Sequence, residues 1–474
     1  MKNEMNNKYR KLTKNTALFA LGTIGSKAIS FFLVPLYTNV LTTAEYGIAD
    51  LILVITWLLF PIFSLHIEES ILYYGLKAKS QDEKQNYLKN GIFVAFLGAI
   101  ALVCLSPLTR LYTSLEGYNT YLIVYILIFM FRTIMLIYTK ACERNSIFAI
   151  DSIGYAAIVA LLNILFLVKF NLGIKGYLLA YAIGEALSLT WLFIYHKGFH
   201  IMIKNRIDKE IVKKMVIYSM PLIINSVSWE ISSSTDRFML NGFLTVGAVG
   251  IYAAAQKIPT VVHTFANFFL RAWTISAYLE YDGKDNRFYA DIFELFSFIL
   301  VLSISVILLV TKPFMYIYVG TEFRDAYLYV PLLLISALFQ IYAAFFGSII
   351  QSGNKNYYMT LSTLTAAIAN IVLNYLLIRK LGIQGAAVAT ALSYMIVFLM
   401  RLVFSRRVKS FAIDYYRTVS CIVLLILQAI SVIVDFYFII VSVLTIAAIL
   451  AINVKCMIKA KSIIKSSKSR SFYT

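Results

Sequence analysis

Four ionisable side chains sit deep inside long apolar runs: Lys27, Arg132, Glu185 and Lys257. At about 1.5 Å of helical rise per residue, they lie roughly 20, 21, 18 and 15 Å from one end of their runs. A charge at that depth costs a few kcal/mol even on the mildest scale, so each must face a cavity or a partner. Three of the four are cations. Cations drawn from separate segments suit an anionic group such as a phosphate or pyrophosphate, held by charge-assisted hydrogen bonds. The alternative is local: Glu185 pairs with one of the cations, and the others reach interfacial water or backbone carbonyls.

One further run is polar on a larger scale. From Asn225 to Arg237 it carries five serines besides Asn225, Trp229, Glu230, Thr235, Asp236 and Arg237. Lipid cannot surround such a helix, which must line water or pack inside a bundle, and Pro221 provides a bend before it. Glu230, like Glu185, is a candidate proton or sodium site, because buried carboxylates can tie ion uptake to conformational change. Asp236 and Arg237 are adjacent and therefore point apart. They mark either a gate, with Arg237 as a fourth cation for substrate, or the interfacial end of the helix. Glu68 and Glu69, beside Tyr73 and Tyr74, fall at the end of a run where solvated carboxylates are ordinary. Among the aromatics, mostly interfacial anchors, Trp229, Tyr252, Trp273 and Tyr342 are candidates for stacking on sugar rings.

No GxSxG, HExxH or P-loop pattern is present, so no enzyme is expected. Of the four His, His196 and His200 share a helix face without an acidic or Cys partner nearby, and the four Cys form no CxxC pair. Neither a metal site nor a cofactor is expected.

Membrane-spanning helices must position these residues. Of 474 residues, 60% are hydrophobic and 14% charged, and the mean hydropathy is +0.77. A soluble domain has roughly a quarter of its residues charged, so soluble enzymes are excluded. Runs of around 20 mostly apolar residues predict fourteen spans, at 15–37, 46–67, 90–109, 118–139, 149–169, 173–195, 215–240, 247–271, 290–311, 326–350, 357–378, 383–404, 417–434 and 436–454. The fold class is therefore an all-α polytopic membrane protein. The first run is too long for a signal peptide and stays as a span. Lys and Arg number 43 against 24 acids, and they fall in alternate loops, 32 in one set and 8 in the other. That asymmetry places both termini in the cytoplasm, and it explains the basic charge without nucleic acid as a partner.

The chain also repeats. Leu41–Ile48 reads LTTAEYGI and Leu244–Ile251 reads LTVGAVGI; Leu172–Gly176 reads LGIKG and Leu381–Gly385 reads LGIQG. Six spans recur, so the copies enter the membrane from the same side, and transporters with such repeats enclose a central site between two bundles. The expected organisation is an N-terminal six-helix bundle at 1–205, a C-terminal one at 206–410, and an additional hairpin with a basic tail at 411–474. The hairpin has little polar beyond Gln428 and reads as a lipid-facing or partner surface.

The run Phe19–Leu51, FALGTIGSKAISFFLVPLYTNVLTTAEYGIADL, with Ser26-Lys27, Pro35-Leu36-Tyr37-Thr38 and Glu45-Tyr46-Gly47, resembles the opening signature of the Wzx-type flippases. These form the polysaccharide-transport branch of the multidrug/oligosaccharidyl-lipid/polysaccharide exporter superfamily. Asp236-Arg237, the following LTVGAVGIYAAAQKI with Lys257, and the two LGIxG openings extend the likeness over essentially the whole chain. The resemblance implies a two-bundle, MATE-like transporter with a cationic cavity. It implies as substrate an undecaprenyl-pyrophosphate-linked oligosaccharide of capsule, exopolysaccharide or O-antigen type, moved from the inner to the outer leaflet of the bacterial cytoplasmic membrane by alternating access. H⁺ or Na⁺ is the expected coupling ion, and a polysaccharide polymerase or glycosyltransferases are the expected partners. The alternatives are a lipid II or teichoic acid precursor flippase, a cation-coupled multidrug exporter and a membrane glycan polymerase. A drug exporter should offer acids rather than cations, and a polymerase needs larger loops.

Overall fold

A computed structural model of the protein describes residues 22–111, 113–204, 207–281 and 287–454, with Cys456 and Ile458. The basic termini and the first residues of the first expected span lie outside the described residues. Within them the chain is almost entirely helical. Eleven helices among the described residues are long and apolar enough to cross a membrane, and the described part of each of the fourteen expected spans falls mostly on helix.

The first pass is α1, at 22–40, and the second is broken into α2, Thr43–Phe63, and α3, Ile67–Lys77. Then come α4, Gln81–Leu105, α5, Asn119–Ala141, α6, Asn145–Asn163 with a π-helical continuation to Lys169, and α7, Gly173–Tyr195. A short α8, Gly198–Lys204, precedes the 35-residue α9, Lys209–Phe243. The eighth pass is broken at Gln256 into α10, Val246–Ala255, and α11, Lys257–Leu279. The remainder are α12, Arg287–Tyr318, α13, Val330–Ser352, α14, Asn356–Leu381, α15, Ile383–Val408, α16, Tyr415–Val434, and α17, Phe438–Ile452.

Two compact units result. The first holds the chain to Asn241 plus Thr245–Gly250, and the second holds Gly242–Leu244 and everything from Ile251. The repeat makes α9 the opening helix of the second half, whereas its packing groups it with the first unit. The core of the first unit interleaves Phe60, Ile71, Val94, Phe129, Ile134 and Leu192 from five helices. In the second unit α13 is the axis, with 89% of its most apolar window buried. Its residues are apolar on every face, as a helix enclosed by others must be. Phe293 and Phe398 close on its Tyr342, Phe345 and Phe346.

The structure gives the repeated motifs a physical reason. Thr42 caps α2 by accepting from the Glu45 N–H at 3.2 Å, and Thr245 caps α10 by accepting from Ala248 N–H at 3.2 Å. Glu45 completes a capping box at the first site; Ala248 cannot at the second. Gly173 and Gly382, equivalent in the two LGIxG copies, both have positive φ, +55° and +60°, where a Cβ is penalised. The Glu45 carboxylate comes within 3.1 Å of where a Cβ on Gly173 would stand, so the two motifs of the first half meet each other.

The C-terminal hairpin is more than a lipid-facing appendage. Ser305 of α12 donates to Gln428 Oε1 at 2.6 Å, and Gln428 Nε2 donates back to the Ser305 carbonyl at 2.8 Å. Lys312 pairs with Asp435 at 2.6 Å, and Arg417 with Glu294 at 2.9 Å. The outer side of the hairpin, with Val423, Leu427, Ile440 and Leu444, remains exposed and apolar.

Candidate functional site

Two of the cations singled out by sequence come together in the first unit. Lys27 of α1 and Arg132 of α5 line one cavity of about 230 Å³ with Ser26, Ser30, Tyr155 and Tyr181. The Lys27 side chain is exposed within it, while Arg132 is buried at its wall. Helix geometry sets this up. Residues three or four apart share a face, which brings Ser30 beside both Lys27 and Ser26.

Arg132 is held by acids. Its Nη2 donates to Asp151 Oδ2 of α6 at 2.7 Å, and its Nε donates to Ser188 Oγ of α7 at 3.0 Å. Ser188 in turn donates to Asp151 Oδ1 at 2.5 Å. Glu185 Oε2 lies 3.6 Å from Arg132 Nε, an ion pair without a hydrogen bond, and the Tyr155 ring lies 4.5 Å beneath the guanidinium. The local pairing of Glu185 with a cation is thus present, and Asp151 joins it. Asp151 was invisible to the sequence reading because it falls close to the expected start of its span. Two cations and two carboxylates give the cavity region a balanced charge when all are ionised.

The polar stretch of α9 takes shape in the same unit. Asn225, Ser228 and Trp229 are exposed, Ser226 and Glu230 are half-buried, and Asp236 is buried. Asp236 and Arg237 do not point apart: Arg237 Nη1 comes within 3.7 Å of Asp236 Oδ1, because the long arginine folds back over the preceding residue. Its principal partner is Asp50 of α2, which accepts from Arg237 Nε at 2.6 Å. Asp50 was not singled out by sequence, since it lies in the first turns of its helix.

Lys257 belongs to the second unit, where it is half-buried and opens α11 directly after the break at Gln256. A further interior cation there is Arg401, near the end of the expected span at 383–404. Its guanidinium is buried and donates to Ser362, Thr363 and the Ala343 carbonyl at 3.1, 3.0 and 3.2 Å, with no carboxylate partner among the described residues.

Three of the four aromatic candidates are core residues instead. Tyr252 and Tyr342 are 0% exposed, and Trp273 is 2% exposed and stacked on Phe345. Their polar atoms are used internally: Tyr342 with Ser297 at 2.5 Å, Trp273 Nε1 to the Phe345 carbonyl at 3.0 Å. Trp229 alone of the four is open, at 50%. Glu68 also differs from expectation, being 2% exposed rather than solvated. Neither it nor the pairing of His66 with it at 2.5 Å was foreseen. His196 and His200 are divided by the break between α7 and α8, and no cluster of metal-ligand type exists among the described residues.

The arrangement offers a recess with an exposed ammonium, a guanidinium restrained by acids, hydroxyl donors and tyrosine rings. Such a set can bind an anion.

Comparison with known proteins follows the geometry. A lipid II flippase, MurJ, in an inward closed conformation superposes with a TM-score of 0.69 at 16% identity, covering 93% of this chain and 100% of that one. A multidrug resistance MATE transporter of the MOP superfamily, in an inward-facing conformation, gives 0.63 at 12% identity, covering 82% and 95%. A MATE transporter in complex with MaD3S gives 0.58 at 13% identity, covering 84% and 96%. No curated protein sequence matches the chain. Residues 12–274 match the family described as polysaccharide biosynthesis protein. With more than half of its length matched, the chain belongs to the polysaccharide biosynthesis protein family, and it shares its fold with MurJ and the MATE transporters.

Proposed function

We propose that the protein is a flippase that carries undecaprenyl-pyrophosphate-linked oligosaccharide repeat units across the bacterial cytoplasmic membrane, with both termini on the cytoplasmic side. The observation that carries this reading is the cavity where Lys27 and Arg132 meet among serine and tyrosine hydroxyls. A diphosphate matches it: the Lys27 ammonium is a point charge, and the Arg132 fork makes planar hydrogen bonds to phosphate oxygens. The glycan occupies water and the prenyl tail stays in lipid.

Arg132 is engaged by Asp151 and Glu185. An incoming diphosphate competes with those carboxylates, and uptake of a proton by Glu185 removes one of the two negative charges it must compete with. That exchange links an ion to the substrate without any further residue. In this reading Glu230 and Asp236 of α9 are additional titratable positions, and Arg237 and Lys257 are further candidate cations for the substrate. The path then follows alternating access between the repeated halves.

The test is binding. Undecaprenyl pyrophosphate should raise the melting temperature of the purified protein, undecaprenol should not, and Lys27→Ala should abolish the shift without lowering the melting point of the free protein. Equal shifts with undecaprenol would discard the diphosphate site.

Asp151 favours a second reading, a cation-coupled exporter, since paired interior carboxylates suit a cationic substrate. That reading is adopted if a lipophilic cation stabilises the protein and loses its effect in Asp151→Asn.

A further inference from the structure

The second pass is interrupted where a continuous helix would satisfy its own backbone. Between α2 and α3, Leu65 and His66 both adopt left-handed backbone angles, φ +50° and +51°. Neither is glycine, and such angles are uncommon for side chains bearing a Cβ. The break lies at membrane depth. The Phe63 carbonyl is packed against α4 at Gly98, where a Cβ would stand 1.7 Å from its oxygen, and Gly98 is well inside the apolar part of α4.

Three side chains meet at this break. His66 Nδ1 is 2.5 Å from Glu68 Oε1, and His66 Nε2 is 2.8 Å from Ser226 Oγ of α9. The Glu68 side chain is 3% exposed, and its second oxygen, Oε2, is buried with no hydrogen-bond partner among the described residues. A first-turn acid that merely complements a helix dipole needs none of this: it would sit in water, facing the backbone N–H groups.

The surrounding charges do not neutralise the pair. On α3 itself, Glu69 adds a negative field, and Lys77 is turned to Tyr73 one turn beyond. On α4, Lys84 donates to the Ala141 carbonyl and Lys89 to the Met202 carbonyl. On α5, Arg132 is engaged by Asp151, and Lys140 lies over Phe148. On α9, Tyr218 stacks on Tyr73, and the Met215 carbonyl accepts from Ser70. On α2, Asp50 is paired with Arg237.

We propose that His66, Glu68 and Ser226 form a proton-binding site whose occupancy sets whether the break in the second pass is closed or hydrated. In the protonated state the imidazolium donates from Nδ1 to Glu68 and from Nε2 to Ser226, and the cluster is neutral. When the Nε2 proton leaves to water, the Ser226 hydroxyl reverses and donates to Nε2, and one negative charge remains on Glu68. An uncompensated carboxylate in this setting is costly, and its unpartnered Oε2 has no protein donor to turn to. Water must reach it, and the two strained residues are where the backbone can yield. Proton affinity and conformation are then linked in both directions. The use of such a site in a transport cycle rests on the flippase reading above; its titration does not.

The experiment is substrate-free. A nitroxide is attached at Leu65→Cys in the full-length protein in liposomes, with Cys104, Cys142, Cys421 and Cys456 replaced by Ser, and its accessibility to a water-soluble nickel chelate is followed between about pH 5 and 9. Accessibility should rise at least about fivefold across a single titration. Glu68→Gln, neutral without a proton, should stay low at every pH, and His66→Gln, with no imidazolium to compensate the carboxylate, should lose the parent's titration. Accessibility independent of pH in the parent overturns the proposal, as does an unaltered titration in both variants. If high-pH accessibility falls only on adding Na⁺ at constant pH, the ligand is the metal cation and the proton assignment fails. Failure here leaves the flippase reading standing, and failure of translocation leaves a titrating hinge standing.

Discussion

Asp151 and Arg132 meet at 2.7 Å inside the first unit, and the same carboxylate is bound a second time by Ser188 at 2.5 Å. The guanidinium therefore sits in a fixed orientation at the wall of the Lys27 cavity, joining α5, α6 and α7. Replacing Asp151 by Ala strands Arg132 with one distant acid, and should destabilise the fold by roughly 3–5 kcal/mol. Replacing both Arg132 and Asp151 by apolar residues of similar volume should cost less than either single change, which thermal unfolding in detergent would measure.

Gly47 and Gly250 hold equivalent positions in the two LxxxxxGI motifs, and each occupies the space the other motif needs. A Cβ on Gly47 would stand 2.0 Å from the Val246 carbonyl oxygen, and one on Gly250 would stand 2.0 Å from that of Thr43. The contact is backbone to backbone and cannot be relieved by a rotamer change. Gly47→Ala and Gly250→Ala should lower the melting temperature by similar amounts, and the double substitution should cost little more than one, since either change opens the crossing. Strictly additive losses would separate the two sites.

Gly173 and Gly382 make a parallel case through φ. Alanine at either position should cost on the order of 1–2 kcal/mol from the left-handed backbone alone. Gly173→Ala should exceed Gly382→Ala, because the Glu45 carboxylate also occupies the space. Chemical-denaturation midpoints of the two variants check the order.

The hairpin of α16 and α17 is anchored by the reciprocal Gln428–Ser305 pair. Gln428→Leu leaves the buried Ser305 hydroxyl without its partner and should cost about 1–3 kcal/mol, whereas Gln428→Leu with Ser305→Ala should be nearly neutral. Protease protection of the 435–438 turn would report the loosened hairpin in the single variant and its recovery in the double.

Much of the fold was legible in the sequence because lipid leaves so few solutions: each run of about 20 apolar residues has to be a helix. The sixth span, 173–195, coincides with α7 because LGIKG holds its αL start, and the others shift by a few residues at polar ends. The breaks at His66 and Gln256 were not legible, since hydropathy does not sense backbone angles. Of the candidate site, the intramembrane cations Lys27 and Arg132 were legible by cost alone. Two acidic partners were not: Asp151, which holds Arg132, and Asp50, which holds Arg237, lie near helix starts, where an acid is cheap and uninformative. Tyr252, Tyr342 and Trp273 were misplaced because an aromatic ring on an apolar helix looks the same whether it faces a chamber or a core.

The central claim concerns a lipid-linked anion and its cation. The most direct measurement is the leaflet accessibility of a labelled undecaprenyl-pyrophosphate oligosaccharide in proteoliposomes, comparing the parent protein with Lys27→Ala and Lys27→Arg, both checked for unaltered melting. The account predicts that the parent moves the label, that Lys27→Ala reduces the rate by at least about tenfold, the equivalent of about 1.4 kcal/mol, and that Lys27→Arg retains much of it. Movement of the label at the same rate in Lys27→Ala, or none in the parent while a cationic dye is exported, would contradict it.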